Sequence, residues 1–335
     1  MSNAGSAYDD ALTGPVVHPG PFGLGCAQLG NLFQAITDDD AFDLLDAAWD
    51  AGVRWFDTAP HYGLGLSEQR LGAFLRTKPR HEFTVSTKVG RLLVPNPAGR
   101  HQTDDEGFDV AATLRRVWDF SAPGVLRSLE ASRERLGLDA IDIVLIHDPL
   151  DHTTAAIDEA YPALAALRAD GRVRAIGVGT RDSTVLTRFV EETGINVVML
   201  AGRYTLLDQT ALDELFPACT RRGVSVLNAG VYNSGVLASP EPSADATFEY
   251  ATAPAGIVDR ARAIARVCAD HGTSLPAAAL AFSRAHPVIA SIVVGAATAV
   301  QVRENRAMLD APPPPELWVA LVEQQLLSPA SAPHW

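Results

Sequence analysis

A chain of 335 residues with 47% hydrophobic side chains and no recurrent low-complexity linker can build one large core, so a single domain over residues 15–335 behind a disordered tail at residues 1–14 is expected. Its net charge of −13 argues against nucleic acid and anionic membrane surfaces as partners, since both select clustered Lys and Arg. No apolar stretch reaches the roughly 20 residues of a membrane span, and the N-terminus lacks the basic start and apolar core of a secretion signal; the expectation is a cytoplasmic protein acting on a small molecule, as a monomer or small homo-oligomer.

Short β-like runs alternate along the chain with segments whose apolar residues recur three and four apart, the pattern of βα units building a parallel sheet. In chain order the strand candidates are residues 22–25, 53–57, 83–88, 141–147, 173–178, 196–200, 224–227 and 289–294. Helical spacing lies between them over residues 38–51, 121–136, 157–169, 184–192, 210–221 and 256–271, with a last short helix at 316–326 after the run of prolines at 312–315. Eight such units predict an α/β fold closed into a (β/α)8 TIM barrel with a C-terminal extra helix. Thr37 ahead of Asp40 and Ser121 ahead of Pro123 read as N-caps, while Gly52, Gly137, Gly171, Gly194, Gly223 and Gly272 fall where helices should stop. Two long segments interrupt the rhythm, residues 89–120 after the third strand and 228–255 after the seventh. Loops at the carboxyl ends of barrel strands are where substrate pockets form. Cys26, Cys219 and Cys268 are odd in number and widely spaced, which fits free thiols and gives no zinc-like pair.

Four polar residues fall at or just after strand ends: Asp57, Tyr62 five residues on in a Pro/Gly-rich loop, Lys88 and His147. Lys88 is further marked because only Lys78 and Lys88 among 27 cationic side chains are lysine, so a compact ammonium is kept where the chain otherwise uses guanidinium. Singly, each residue has an ordinary explanation: a packed loop tyrosine, a turn-capping aspartate, a solvated lysine, a core histidine held by backbone. Jointly they read as a site for proton and hydride transfer. Hydride moving to or from a carbonyl carbon leaves charge on oxygen, which needs a proton donor or acceptor within hydrogen-bond reach. Tyr62 fills that role if Lys88 brings its pKa down from about 10, with Asp57 holding the ammonium and neutral His147 orienting the substrate oxygen.

The stretch Trp55-Phe56-Asp57-Thr58-Ala59-Pro60-His61-Tyr62-Gly63, continuing through Gly65, Ser67 and Glu68, resembles the signature of the aldo-keto reductase superfamily, with Lys88, His147-Asp148 and residues 295–305 where that family keeps its later motifs. Residues 118–121, 128–130, 135–139 and 201–208 resemble one branch, whose members oxidise L-fucose, D-threo-aldoses or pyridoxal. The resemblance implies Tyr62, Asp57, Lys88 and His147 as catalytic residues and NAD or NADP as cofactor. It places the dinucleotide against Gly295, Ala296, Thr298, Gln301, Glu304 and Asn305, where a helix N-terminus offers free N–H groups to an anion. Relatives that prefer NADP carry Lys and Arg there; the uncharged Gly295 and Gln301 favour NAD, although Arg303 and Arg306 are near in sequence. Gly179-Thr180 replaces the Ser-Asn pair that grips the nicotinamide amide in many members, leaving Thr180. Ala229 replaces a stacking aromatic, leaving Tyr204 or Tyr232.

Trp118, Phe120, Tyr232, Phe248, Tyr250 and Trp335 are candidates for an apolar pocket wall, and Arg91, Arg100, His101 and Asp148 for contacts to substrate hydroxyls. The branch implies oxidation of an aldose such as L-fucose or a D-threo-aldose at C1 to the lactone, with no metal. Pyridoxal oxidation and general NADPH-dependent aldehyde or ketone reduction on the same residues are the alternatives. From other classes come a metal-dependent barrel hydrolase with Asp57, His61, His147 and Asp148 as ligands, which leaves Tyr62 and Lys88 without a role, and a nucleotide-sensing subunit.

Overall fold

The computed structural model describes residue 20 and residues 22–331; the tail at residues 1–14 and Trp335 lie outside them. Eight parallel strands close in chain order into a barrel: β1 (Phe22–Gly25), β2 (Trp55–Asp57), β3 (Thr84–Val89), β4 (Ile143–His147), β5 (Ala175–Thr180), β6 (Val197–Ala201), β7 (Ser225–Ala229) and β8 (Ile289–Gly295), the last pairing back onto β1. Around them run α1 (Asp38–Asp50), α2 (Leu66–Leu75), α3 (Ala122–Leu136), α4 (Tyr161–Ala169), α5 (Ser183–Glu192), α6 (Leu215–Arg222), α7 (Ala255–Asp270), α8 (Leu275–Ser283), α9 (Ala299–Asp310) and α10 (Glu316–Glu323). This is the expected (β/α)8 architecture. Among the described residues no helix is long and apolar enough to cross a membrane, and all three cysteines are buried and free.

Period-two alternation sorts each strand's side chains between two cores. Outward residues such as Phe56, Val85, Val144, Ile176, Val198 and Val226 pack beneath the helices, against Leu44, Leu71, Phe189 and Phe282. Inward residues Trp55, Ile143, Leu145, Ala175, Val197, Met199, Leu227 and Val293 form a separate plug inside the barrel. The same alternation, carried two residues further along each strand, defines the layer above the plug: Gly25, Asp57, Lys88, His147, Gly179, Ala201, Ala229 and Gly295. Three adjacent strands there carry polar groups and the other five carry only glycine or alanine.

Local chemistry sets the helix ends. Thr37 accepts from the Asp40 N–H and the Asp40 carboxylate accepts from the Thr37 N–H, a capping box; Ser121 caps α3 by accepting from the Gly124 N–H. Gly137 and Gly223 end α3 and α6 in the left-handed region, as expected, but Gly194 does not end α5: Thr193 is the C-cap, in extended backbone, and Gly194 N–H donates to the Tyr161 hydroxyl. Two expected helices are broken by prolines, which lack the N–H for the preceding turn. Pro162 coincides with a π-turn at Ala156–Ala160 before α4, and Pro217 leaves a 3₁₀ turn at Thr210–Leu212 separate from α6. Both interrupting loops contain hairpins: Arg91–Pro95 pairs with Leu114–Trp118, and Thr247–Phe248 with Ala251–Thr252.

Candidate active site

Asp57 and Ser86 are register partners on β2 and β3, and Trp55 and Lys88 stand two residues away on the same inward faces, so four side chains meet inside the mouth. The Trp55 indole N–H donates to Ser86 Oγ at 3.0 Å, Ser86 donates to Asp57 Oδ1 at 2.7 Å, and Lys88 Nζ donates to Asp57 Oδ2 at 2.7 Å. Lys88 also donates to the Thr58 carbonyl at 3.0 Å and to the Tyr62 oxygen at 3.1 Å. An ammonium has three donors, and here all three are used. Because Lys88 donates to the phenol oxygen, the phenol's own hydrogen is free for the cavity.

Tyr62 is brought to this point by a backbone contact. Gly63 has φ of 60°, and a Cβ there would lie 2.3 Å from the Gly30 carbonyl oxygen, so only two glycines let the loop after β2 rest on the turn after β1. The direction expected for the Tyr62 pKa is reversed. Burial pushes the phenol up to about 12; the Lys88 ammonium pulls it down, the Asp57 carboxylate pushes it up again, and the net is upward. For Lys88 burial opposes the charge, yet Asp57 and Tyr62 together raise its pKa above the ordinary lysine value, so the ammonium persists at neutral pH.

His147, at the end of β4, meets Tyr62 edge to face with ring centroids 6.1 Å apart. Burial first, then the Arg91 and Lys88 charges, hold its pKa well below 6.5, so the imidazole is neutral. His61 packs beside both rings and falls to about 2, mainly through burial and then Arg91 and Arg116. The long loop after β3 fixes these groups: Arg116 pairs with Asp104 and donates to the His61 carbonyl at 2.8 Å, while Arg91 donates to His61 Nδ1 at 3.1 Å and to Asp148 Oδ2 at 2.6 Å. Among the described residues no three of His, Cys, Asp and Glu are placed to hold a metal ion. Asp57 is committed to Lys88 and Ser86, and Asp148 to Arg91, which leaves the hydrolase ligand set ungathered.

A cavity of about 890 Å³ opens above the polar layer. It is lined by Asp57, Tyr62, Lys88 and His147, by Asp148 and Trp118, by Thr180 and Tyr232, and by Gly295, Ala296 and Gln301. The small inward residues Gly25, Gly179, Ala201, Ala229 and Gly295 also line it, and a Cβ built on Gly295 meets nothing within 4 Å. This open half suits a flat ring and its backbone-held tail, so the residues present fit a nicotinamide dinucleotide.

Thr298, Glu304 and Asn305 do not line the cavity. Thr298 caps α9, accepting from the Gln301 N–H, while the Gln301 side chain accepts from Ala297 N–H; Glu304 is exposed. Asn305 accepts from the Tyr232 hydroxyl at 2.7 Å, tying the loop after β7 to α9. Tyr204 is not in the cavity wall: its ring is buried against Phe216 and Phe282. Phe120 is stacked with Trp118 but does not line the cavity, Phe248 does not either, and Arg100 and His101 are exposed away from it.

Sequence reasoning missed the support under Asp57, namely Trp55 and Ser86, whose inward positions follow from strand alternation. It also missed Phe33, which faces Tyr250 across the mouth at 6.2 Å. Glu249 and Tyr250 are the two central residues of the second hairpin, with φ of 52° and 65°, values that glycine and asparagine normally supply in such turns. Glu249 is held by Arg203 at 2.5 Å.

A (β/α)8 barrel with Tyr, Lys, Asp and His gathered at the carboxyl ends of its strands defines an oxidoreductase class, and the sequence pattern of the Aldo/keto reductase family matches residues 21–323. The chain belongs to that family and is an NAD(P)-dependent oxidoreductase. It is 48% identical over 308 residues to a D-threo-aldose 1-dehydrogenase of Pseudomonas sp, covering 91% of this chain and 94% of that protein. A pyridoxal 4-dehydrogenase of Microbacterium luteolum is 37% identical over 323 residues, with the same coverage of 91% and 94%. Among solved structures, the holo form of an aldo-keto reductase from Bacillus halodurans superposes with a TM-score of 0.72 at 26% identity, covering 94% of each chain.

Proposed function

We propose that the protein oxidises the C1 hydroxyl of a cyclic aldose hemiacetal to the lactone, with NAD as hydride acceptor. The observation that carries this reading is the donor count at Lys88. Its three N–H groups are spent on Asp57, Thr58 and the Tyr62 oxygen, so the phenol exchanges its own proton with whatever lies in the cavity. Bound NAD supplies the hydride acceptor, to which the C1–H electron pair passes as the C1=O bond forms. The hydroxyl proton passes to the Tyr62 oxygen in its ionised form, which the Lys88 ammonium stabilises; in the reverse sense Tyr62 donates it. His147, neutral, lines the same cavity and orients the reacting oxygen without competing for the proton.

Support for the aldose comes from the 48% relative, named a D-threo-aldose 1-dehydrogenase, and from a cavity with aromatic and polar walls. Pyridoxal closes to a cyclic hemiacetal, so the 37% relative's named substrate belongs to the same chemical class. NAD is favoured because Gln301 is uncharged and Arg306 is already paired with Asp310 at 2.9 Å, so that of the two α9 guanidiniums only the exposed Arg303 is left for a 2′-phosphate. The test is a panel of L-fucose, D-arabinose, pyridoxal and simple aldehydes with both nucleotides, following NADH and lactone, with Tyr62→Phe beside the wild type. Tyr62→Phe should lower turnover by about 10²- to 10⁴-fold. A wild type that makes no lactone from any aldose, or a Tyr62→Phe variant at full rate, would overturn the reading.

A further inference from the structure

Asp148 follows His147 at the end of β4 and has φ of 43°, a left-handed backbone that a non-glycine residue keeps only where its surroundings impose it. The surroundings are specific. The Asp148 N–H donates to the Gly179 carbonyl at 2.9 Å, and Arg91 Nη2 donates to Oδ2 at 2.6 Å. Arg91 is itself fixed, with its guanidinium 4.4 Å from the Trp118 ring centroid and its other branch donating to His61 Nδ1. Oδ2 is therefore spoken for, and it lies 3.6 Å from His147 Nε2. Oδ1 has no hydrogen-bond partner among the described residues, and its side chain, 29% exposed, faces the same cavity as Tyr62.

A carboxylate oxygen only accepts hydrogen bonds, so this one takes its donor from water in the open cavity, or from a ligand that displaces that water. The reacting hydroxyl is taken by Tyr62. What remains is a second hydroxyl, which an aldose has and a plain hemiacetal or aldehyde lacks. We propose that Asp148, held in place by Arg91, accepts a hydrogen bond from a non-reacting hydroxyl and so selects polyhydroxylated over plain hemiacetals. This rests on the aldose reading above. If the ion pair serves only to strap the loop after β3 onto the barrel, its loss weakens all substrates alike.

The experiment compares L-fucose with tetrahydropyran-2-ol, a cyclic hemiacetal oxidised to its lactone by the same hydride and proton transfers but carrying no other hydroxyl. Asp148→Asn suits the test because asparagine tolerates positive φ and its amide oxygen still accepts from Arg91. The ratio of kcat/KM for L-fucose over tetrahydropyran-2-ol should fall about 10- to 100-fold, chiefly through KM for the sugar. Arg91→Lys, which keeps the charge and loses the fork, should lower the same ratio. Equal proportional losses on both substrates, or a change in thermal stability alone, would remove the assignment. A wild type that oxidises tetrahydropyran-2-ol and no sugar would overturn the parent reading and this one with it, and that outcome is seen before any variant is made.

Discussion

Replacing Lys88 with methionine separates what the buried ion pair does for the fold from what it does for the chemistry. The side chains of Lys88 and Asp57 are 3% and 4% exposed, so Lys88→Met leaves a carboxylate inside the barrel with Ser86 as its one remaining donor among the described residues. Breaking a buried pair from one side costs about 3–5 kcal/mol, because the stranded charge keeps its desolvation penalty. Adding Asp57→Asn removes that charge, and the amide oxygen still accepts from Ser86. Urea unfolding followed by circular dichroism should therefore show a large loss in Lys88→Met and recovery of most of it in the double variant. Hydride transfer should not recover, because Tyr62 has lost the cation that stabilises its ionised form. A single variant as stable as wild type would refute the energetics. A double variant with restored turnover would refute the role assigned to Lys88.

With Tyr62 up at about 12, the phenol is protonated at neutrality, so the ionised fraction that accepts a proton rises tenfold per pH unit; hemiacetal oxidation should climb through the alkaline range with a slope near one, while aldehyde reduction stays flat, and a flat oxidation profile would contradict Tyr62 as base. His61 and His147 are held neutral in the fold and take protons below about 6.5 when unfolded; their stabilisation is complete above that pH and lost below it at about 1.4 kcal/mol per pH unit each, and His61→Asn should remove one share of that acid slope in unfolding measured from pH 6 to 4. Asn-Gly in place of Glu249-Tyr250 relieves two left-handed residues at roughly 1–2 kcal/mol each, so thermal stability should rise while KM for the sugar rises as well; a lower melting temperature would show that the Glu249–Arg203 contact outweighs the strain. Gln301→Arg should raise the NADP to NAD ratio of kcat/KM, and an unchanged ratio would place that side chain away from the adenosine ribose.

The barrel was legible because strands buried on both faces print as largely apolar runs between helix-ending glycines, and eight of them alternating with helical segments match the count that closes a parallel sheet into a barrel. The polar ends of β2, β3 and β4 were legible for a related reason: Asp57, Lys88 and His147 close otherwise apolar runs, and a buried polar group there demands partners. The loops behaved differently. Arg91, Trp118 and Asp148 meet from the two arms of one hairpin and the end of another strand, and Phe33 meets Tyr250 from opposite ends of the chain. No local periodicity encodes such meetings. The sign of the Tyr62 shift was equally hidden, since it turns on how far burial outweighs one nearby charge.

One further signal lay within reach once strand alternation was applied to its end. The last inward residues are Gly25 on β1, Gly179 on β5, Ala201 on β6, Ala229 on β7 and Gly295 on β8, so the barrel mouth divides into a contiguous polar third and a contiguous small-residue remainder. A protein gains nothing in stability from five such residues in a row, because larger side chains would bury more apolar area at about 25 cal/mol per Å². Their smallness makes sense only as room for a ligand that supplies the missing surface.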